Sequence, residues 1–205
     1  MSAESVSQPE ERLPAALSAD VDVVARARDG HRDAQQALFV QFRDLAYRVA
    51  YRISGRRADA MDIVQDAFIR AFTSMDRLTD DDKFKSWLMR IVSNKALDLL
   101  RSKRVRRAVS IEGGDEERGA LQVADSGQAV RGSESESEDN VQRIKQAMSA
   151  LPPDQHAAIA LYVTGDMTYG EIAEALDIPL GTVMSRIHRA RRQLKEWLSD
   201  LGSED

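Results

Sequence analysis

The sequence predicts an all-α protein with two small helical domains joined by a flexible acidic linker. Apolar residues recur at helical spacing over 21–106 and again over 141–200. Residues 107–140, between them, show no such periodicity and contain a run of alternating serine and glutamate. Only 5% of the 205 residues are aromatic whereas 31% are charged, which favours helices over strands. We expect a disordered acidic tail over 1–20 and a short tail over 201–205.

Four helices are predicted in the first domain. A short helix begins near Val23 and stops at Gly30. The second helix has apolar residues three or four positions apart and ends at Gly55. Apolar stripes over 63–72 and 84–99 predict the third and fourth helices.

The formal net charge of −5 conceals an uneven distribution. Residues 23–106 contain 18 basic and 11 acidic residues, a net charge of +7, whereas residues 107–140 contain 3 basic and 9 acidic residues, a net charge of −6. Residues 178–195 carry five basic residues and no acidic residue. Such basic clusters are typical of a surface that binds a polyanion. A solvated helix face is the alternative, because charge clustering alone identifies no ligand.

Residues 168–195 predict a helix-turn-helix. Thr168 and Glu171 have the spacing of a capping box, which marks a helix start. Because a residue before proline disfavours helical geometry, this helix cannot continue through Ile178. A second helix begins near Gly181. In DNA-binding proteins with this layout, the second helix enters the major groove.

The two faces of the predicted second helix differ in chemistry. One face is apolar and consists of Val183, Ile187, Ala190 and Leu194. The opposite face is polar or basic and consists of Ser185, His188, Arg189, Arg192 and Lys195. Arginine can donate two hydrogen bonds to guanine, and serine can contact either type of base. The alternative is a basic surface helix that contacts nothing.

The sequence indicates no cofactor and no catalytic residue. It contains no cysteine, which excludes disulfides, thiolate metal sites and cysteine nucleophiles, and its three histidines are not at ligand spacing. Asp80, Asp81 and Asp82 could indicate a cation site, but the glycine and distal glutamate of a calcium loop are missing. We predict instead that one aspartate caps a helix while the others are solvated.

No apolar run approaches the roughly 20 residues that a membrane-spanning helix needs. The N-terminus is acidic and lacks the apolar segment of a secretory signal. We therefore expect a cytoplasmic protein with no membrane insertion of its own.

Two sequence blocks resemble bacterial sigma factors of the sigma-70 family. Residues 60–72, AMDIVQDAFIRAF, and 84–104, FKSWLMRIVSNKALDLLRSKR, resemble conserved region 2. Residues 151–194, beginning LPPDQHAAIALYV, resemble region 4. The similarity is greatest to the extracytoplasmic-function (ECF) group, which has only region 2, a linker and region 4. The blocks occur in the family's order and cover most of residues 23–198.

The resemblance implies a non-catalytic transcription initiation factor. Such proteins bind core RNA polymerase, direct it to promoter DNA and help to open the duplex. Region 2 docks on the coiled coil of the polymerase clamp and captures the melted −10 element, whereas region 4 binds the −35 element and the polymerase flap. Members are commonly held inactive by an anti-sigma factor, which we expect here because no self-inhibitory domain is evident. The protein would be at the nucleoid when active and could be held at the inner membrane when inhibited.

The resemblance also assigns residues to each surface. The polymerase-binding set is Asp62, Gln65, Asp66, Ile69 and Arg70. The −10 set is Leu78, Thr79, Asp81, Trp87, Arg90, Asn94, Lys95 and Arg101. The −35 set is Thr182, Ser185, Arg186, His188, Arg189 and Arg192. An amide such as Asn94 offers donors and acceptors to the edge of an unpaired base. The alternatives are a solvated face for the first set and core packing for Trp87.

The sequence departs from the family pattern at two positions of the −35 helix. Met184 stands where many members have a basic residue, and His188 where an aromatic residue is frequent. Promoter preference is therefore not predicted. The rival interpretations are a polymerase-independent helix-turn-helix regulator, an enzyme acting on nucleic acid and a protein-binding adaptor.

Overall fold

A computed structural model of the chain describes residues 19–112, 143–144 and 146–200. Within these residues the structure consists of helices and turns, with no strand, which confirms the all-α prediction. The predicted tails, except for Ala19 and Asp20, and residues 113–140 of the predicted linker lie outside the described residues. Ala19 is buried in the core and Asp20 caps α1, so the expectation of a disordered tail is wrong for these two residues. The N-terminal domain contains α1 (Val21–Arg28), α2 (Arg32–Ser54), α3 (Arg57–Thr73), 3₁₀ turns at Met75–Arg77 and Asp81–Lys83, and α4 (Phe84–Glu112). The C-terminal domain contains α5 (Pro153–Thr164), α6 (Tyr169–Leu176) and α7 (Leu180–Asp200).

Helix α2 is the centre of the N-terminal domain. It packs against α1, α3 and α4 through its predicted apolar stripe, which is buried from Leu38 to Ile53. The rings of Phe42 on α2 and Phe84 on α4 lie 5.5 Å apart. Gly55 ends α2 with a left-handed backbone, φ 73°, which most other residues adopt only with strain.

Helix α4 is longer than the sequence predicts. The apolar stripe that predicts this helix ends at Leu99, but the helix continues to Glu112. The residues from 101 to 112 include no glycine or proline, and arginine, lysine and alanine favour helices. The first helix-breaking residues are Gly113 and Gly114. The loss of apolar periodicity therefore marked the end of the helix too early.

The C-terminal domain contains the predicted helix-turn-helix, formed by α6 and α7. Residues 143–144 and 146–150 are helical, and Pro153 occupies the first turn of α5 as predicted. Asp177 ends α6 with φ 54°, a left-handed conformation that aspartate tolerates better than most residues. The second helix begins at Leu180, one residue before the predicted start.

The two domains pack against each other and share one apolar core. Helix α5 contacts α2 and α4 of the N-terminal domain as well as α6 and α7. Its residues from His156 to Leu161 are all buried, as expected for a helix enclosed on several sides. This docking places the acidic side of α6 against the start of α4. No helix among the described residues is long and apolar enough to span a membrane.

Candidate nucleic-acid interface

The predicted polymerase-binding face of α3 is exposed. Its five residues, Asp62, Gln65, Asp66, Ile69 and Arg70, all point away from the core. The buried side of the helix carries Ala67 and Phe68. Ile69 is 55% exposed, and Met61 on the same helix is 58% exposed, so apolar and acidic groups share this surface. The predicted orientation is confirmed, whereas the partner remains a prediction.

Arg28 on α1 anchors the loop that precedes α4. Its guanidinium donates to the carbonyl oxygens of Leu78, at 3.2 Å, and Met75, at 3.4 Å, and forms an ion pair with Asp81. Asp80 caps the following turn by accepting a hydrogen bond from the backbone N–H of Asp82 at 3.2 Å. Capping by one aspartate is thus confirmed. The expectation that both other aspartates are solvated is wrong for Asp81, because Arg28 binds it.

The contacts of this loop limit which residues of the predicted −10 set are free to contact DNA. The Leu78 side chain is only 6% exposed and packs in the core, so it is not presented to a base. The Asp81 side chain is 15% exposed and bound to Arg28. Thr79 is the predicted loop residue that remains exposed. Arg28 lies about fifty residues upstream, and sequence periodicity contains no signal that would pair it with this loop.

An open pocket of about 430 Å³ lies between α3, the loop and α4. It is lined by Arg70, Ser74, Arg77, Trp87, Arg90, Ile91, Asn94, Lys95 and Asp98. Four of these side chains are cationic, one is a partly exposed indole and one is an exposed amide. Trp87 packs against the core and against the Phe84 ring at 6.1 Å, yet its remaining surface faces the pocket, so the two interpretations of this residue are compatible.

The pocket joins five predicted −10 or polymerase residues to four that the sequence did not assign to a site. Ser74 and Arg77 belong to the link between α3 and α4, where helical periodicity ends and site prediction from helix faces fails. A cationic pocket with an aromatic surface and an amide can bind the phosphate backbone, stack a base and hydrogen-bond its edge.

The predicted faces of α7 are confirmed. Val183, Ile187 and Ala190 are buried and Leu194 is half-buried, whereas His188, Arg189, Arg192 and Lys195 are exposed. Ser185 is half-buried and donates to the Thr182 carbonyl at 3.0 Å. Arg186 is turned towards Asp154, with 3.1 Å between their nearest atoms. The exposed basic face is therefore available to a polyanion, apart from Arg186.

The start of α6 is fixed by the predicted capping box. The Thr168 hydroxyl accepts from the Glu171 N–H at 3.2 Å, and the Glu171 carboxylate accepts from the Thr168 N–H at 2.7 Å. The Tyr162 and Tyr169 rings stack at 5.5 Å, and Arg191 lies 5.8 Å above the Tyr162 ring. These contacts hold α5, α6 and α7 in a defined arrangement.

Several predicted DNA-contacting cations are bound to carboxylates in this structure. Lys95 forms an ion pair with Asp66, which belongs to the polymerase-binding set. Arg90 lies 2.6 Å from Asp177, and Arg101 lies 3.4 Å from Asp154. The partners of Arg90 and Arg101 belong to the C-terminal domain, so domain docking pairs with two cations of the predicted −10 set, although both stay exposed.

Three acidic residues of the α6 segment pair with the start of α4. The Glu171 carboxylate lies 2.7 Å from the ammonium of Lys85, which is buried. Glu174 accepts from Lys83 at 2.5 Å and from the Ser86 hydroxyl at 2.7 Å. Asp177 pairs with Arg90. These bonds from Lys83 and Ser86 lower the pKa of Glu174, and the hydrogen bond to Glu174 raises the pKa of Lys83.

The Glu174 pair predicts a pH dependence of stability. A carboxyl with a lowered pKa stabilises the folded protein above its ordinary pKa, and this stabilisation is lost as the pH falls through the lowered value. We expect the free energy of unfolding to decrease below pH 4.5 more steeply in the wild type than in Glu174→Gln. Urea denaturation across the acidic range measures this difference. If the free energy of unfolding decreased equally steeply with falling pH in both proteins, the pairing of Glu174 with Lys83 would not stabilise the folded protein.

Family comparisons assign both halves of the chain. Residues 38–106 match the family model described as Sigma-70 region 2, and residues 141–194 match Sigma-70, region 4. SigW of Bacillus subtilis, an ECF RNA polymerase sigma factor, is 33% identical over 87% of this chain and 96% of its own length. The chain belongs to the ECF group of sigma-70 family sigma factors.

Two further relatives of this ECF sigma factor are also described as ECF RNA polymerase sigma factors. The ECF sigma-E factor of Escherichia coli strain K12 is 32% identical over 89% of this chain and 95% of its own length. ECF sigma factor SigE of Mycolicibacterium smegmatis is 36% identical over 80% of this chain, which spans 61% of that longer relative.

Two solved structures share the fold of this ECF sigma factor. CnrH in complex with the cytosolic domain of CnrY has a TM-score of 0.64 and 26% identity, covering 88% of this chain and 97% of that one. The sigma factor RpoE of Bartonella quintana, in complex with the anti-sigma factor NepR, has a TM-score of 0.59 and 27% identity, covering 80% and 96%. In both structures the relative is bound to a second protein.

Proposed function

We propose that this ECF sigma factor binds core RNA polymerase, directs it to specific promoters and promotes opening of the duplex. The observation that carries the proposal is the division of polar chemistry between the two domains. Region 4 has an exposed basic helix face on α7, and region 2 has a cationic pocket with an indole and an amide. One surface suits paired DNA and the other suits an unpaired strand.

Region 4 would hold the −35 element through the exposed face of α7. His188, Arg189 and Arg192 extend from one side of this helix, whereas Val183 and Ile187 fix its opposite side in the core. A rigid helix with this arrangement can enter the major groove and contact base edges. Arg191 lies beside the groove-facing side of α7 and stacks on the Tyr162 ring. Because its side chain is also exposed, it could reach a phosphate.

Region 2 would capture an unpaired base of the −10 element in the pocket. Trp87 offers a surface for stacking, Asn94 offers hydrogen bonds to a base edge, and Arg77 and Arg90 neutralise the backbone. Unstacking a base costs a few kcal/mol, which these contacts would offset. The chain supplies binding energy for opening, and the polymerase performs the covalent chemistry.

The exposed face of α3 would dock on the polymerase clamp. Asp62, Gln65 and Ile69 present acidic, polar and apolar groups on one side of the helix. Two exposed apolar side chains on this helix, Ile69 and Met61, beside hydrogen-bonding groups suit a protein interface. Region 4 would contact the flap.

We further propose an anti-sigma factor as a partner, with the protein acting in the cytoplasm at the nucleoid. Both solved relatives carry a bound protein, and one of these proteins is described as an anti-sigma factor. Purification of the tagged chain from resting cells tests the partner. A second small protein released under inducing conditions would support it, and recovery of core polymerase alone under both conditions would argue against it.

Asn94→Ala is expected to impair promoter opening more than duplex binding. The substitution removes the amide at the pocket and leaves α7 unchanged. We expect a loss of roughly 1–3 kcal/mol in open-complex stability, the range for a side chain that makes two hydrogen bonds to a base edge. Permanganate reactivity of unpaired thymines measures opening, and filter binding of the closed complex measures recruitment. Asp98→Ala is the control, because it alters another polar side chain at the pocket that is not an amide. An unaltered permanganate signal in Asn94→Ala would show that Asn94 does not belong to the site.

Footprinting distinguishes the proposed function from a polymerase-independent regulator. Promoter DNA is incubated with the purified chain, with core polymerase or with both. We expect protection of separate −35 and −10 blocks only when both proteins are present. A sequence-specific footprint of the chain alone, unchanged by polymerase, would support the regulator instead.

A further inference from the structure

We propose that Arg28 is a positioning residue for base capture, which fixes the loop between α3 and α4 in the shape that selection of an unpaired −10 base requires. This loop spans residues 74–83. The inference rests on the proposed function, because it assumes that the pocket beside the loop receives a base of the promoter. It adds a residue that acts on the pocket through the protein backbone and not through a contact with DNA.

The loop has little regular structure of its own. It consists of two 3₁₀ turns of three residues each, Met75–Arg77 and Asp81–Lys83, with three residues between them. Such short turns have poorer hydrogen-bond geometry than an α-helix. The buried side chains of Met75 and Leu78 hold the loop to the core, whereas Thr79 is exposed. The exposed part of the loop therefore needs further contacts to keep a single shape.

The guanidinium of Arg28 holds the loop at three points. Its Nη2 donates to the Leu78 carbonyl oxygen at 3.2 Å, and its Nε donates to the Met75 carbonyl oxygen at 3.4 Å. The same side chain forms an ion pair with Asp81. A guanidinium has five N–H donors in a rigid planar fork, so it can serve several acceptors at once. The held residues lie on both sides of the exposed Thr79.

The two carbonyl groups that Arg28 holds come directly after the two loop residues of the pocket. Ser74 lines the pocket and is followed by Met75. Arg77 lines the pocket and is followed by Leu78. Arg28 itself is not among the described residues that line it. Because neighbouring residues share a planar peptide unit, a backbone change at either held residue also redirects the pocket residue before it.

Arg28 extends from a firmly held helix. Val24 and Ala27 bury one side of α1. The side-chain amide of Gln35 on α2 donates to the Ala27 carbonyl oxygen at 3.1 Å and so ties the end of α1 to α2. The Arg28 side chain is 34% exposed and its partner Asp81 is 15% exposed, so solvent and salt screen this pair less than a fully exposed one. The loop is therefore fixed to a rigid part of the domain.

Loss of the Arg28 contacts is expected to impair base capture more than recruitment. If the loop adopts its pocket-forming shape only part of the time, the apparent affinity for a base falls by that fraction. We therefore expect Arg28→Ala to slow promoter opening about tenfold and to reduce base preference at one or more −10 positions about fivefold. Affinity for the closed promoter should be unchanged, because the basic face of α7 is not altered.

Kinetics of the holoenzyme test this expectation on a promoter identified by transcript mapping. Abortive initiation at a series of holoenzyme concentrations separates closed-complex affinity from the rate of opening. Run-off transcription on templates with single −10 substitutions measures base preference. Arg26→Ala is the matched control, because Arg26 is also on α1 but pairs with Asp33 of α2. We expect this control to open the promoter at the wild-type rate and with the wild-type base preference.

Arg28→Lys is a second variant for the case that Arg28→Ala unfolds. Lysine retains the charge that pairs with Asp81, but it lacks the planar fork that reaches both carbonyl groups. We expect an unchanged midpoint of thermal unfolding and an opening rate about threefold below wild type. Opening by Arg28→Lys at the wild-type rate would contradict the assignment, because the carbonyl contacts would then be dispensable.

Hydrogen exchange of the free chain provides a measurement without DNA. The backbone N–H groups of Leu78 and Lys83 donate to carbonyl oxygens within the loop, both at 3.1 Å. In Arg28→Ala we expect these amides to exchange about tenfold faster, while the amides of α2 exchange as in wild type. Unchanged exchange of the loop amides would show that Arg28 does not fix the loop.

Equal opening rates and equal −10 preference in wild type and Arg28→Ala would overturn the inference. A loss that is uniform across all templates, with base preference retained, would also overturn it, because a folding defect or a phosphate contact of Arg28 has that effect. Promoter-specific transcripts from the wild type together with either result reject only the role of Arg28. Absence of promoter-specific transcripts from the wild type rejects the proposed function.

Discussion

Glu171→Ala is expected to lower the free energy of unfolding by about 1–3 kcal/mol, the cost of leaving a buried polar group without its hydrogen-bond partner. The ammonium of Lys85 lies 2.7 Å from Glu171, and Lys85 is only 3% exposed. Without the carboxylate, the charge would remain in a poorly hydrated interface. The substitution also removes the acceptor for the Thr168 N–H at the start of α6. Urea denaturation at neutral pH measures the loss.

Two controls separate charge from capping in this prediction. Glu171→Gln retains a side-chain oxygen for the Thr168 N–H but removes the charge, so most of the loss should remain. Lys85→Met together with Glu171→Gln removes both charges and should recover much of it. Glu174→Ala is the matched exposed carboxylate on the same helix and should cost at most about 1 kcal/mol. Equal losses for Glu171→Ala and Glu174→Ala would contradict the importance of the buried pair.

Separation of the two domains would limit the loss of stability that Glu171→Ala causes. If region 4 detached from region 2, water would solvate Lys85 and relieve the unpaired charge. The loss therefore reaches its expected size only while the domains stay docked. Fluorescence energy transfer between labels on Gln36→Cys and Ser199→Cys, two exposed sites in a chain without other cysteines, reports through the same urea titration whether undocking and unfolding occur together.

Arg189→Ala is expected to weaken transcription from promoters with a matching −35 element by roughly 1–3 kcal/mol of discrimination, if Arg189 contacts guanine with two hydrogen bonds. Arg189 is exposed on α7 and has no ion pair among the described residues, whereas Arg186 is bound to Asp154. Run-off transcription on promoters with single −35 substitutions measures the effect. Activity on the preferred sequence should fall, and preference at one base pair should disappear.

Arg191→Ala is the matched control on the same helix. This arginine lies over the Tyr162 ring rather than on the groove-facing side. Loss of a phosphate contact lowers affinity for all sequences similarly. We therefore expect Arg191→Ala to reduce transcription without changing base preference. Unchanged base preference in Arg189→Ala would show that this residue does not read sequence.

The local features of the fold were predictable because they depend on neighbouring residues. Apolar spacing places the buried stripe of α2, and Thr168 with Glu171 defines the start of α6. The sidedness of α7 follows from the same periodicity, so Arg189 was correctly oriented. Helical segments without glycine or proline can continue beyond their apolar stripe, which explains why the end of α4 was placed too early.

The long-range features were not predictable from periodicity. Arg28 on α1 binds Asp81 in the segment before α4, so this residue of the predicted −10 set already has a partner within the protein. The pairs of Glu174 with Lys83 and of Asp177 with Arg90 join residues that are 91 and 87 positions apart. Helical spacing reveals which acids share a face, but the opposing basic residues become visible only when the two domains are packed together.

The most direct test of the proposed function is the mapping of transcript 5′ ends on a genomic DNA library. Core RNA polymerase is incubated with the library alone or with the purified chain free of any inhibitor. We expect the chain to concentrate transcript starts at a small set of sites that share upstream sequence blocks. An identical distribution of 5′ ends with and without the chain would contradict its role in promoter selection.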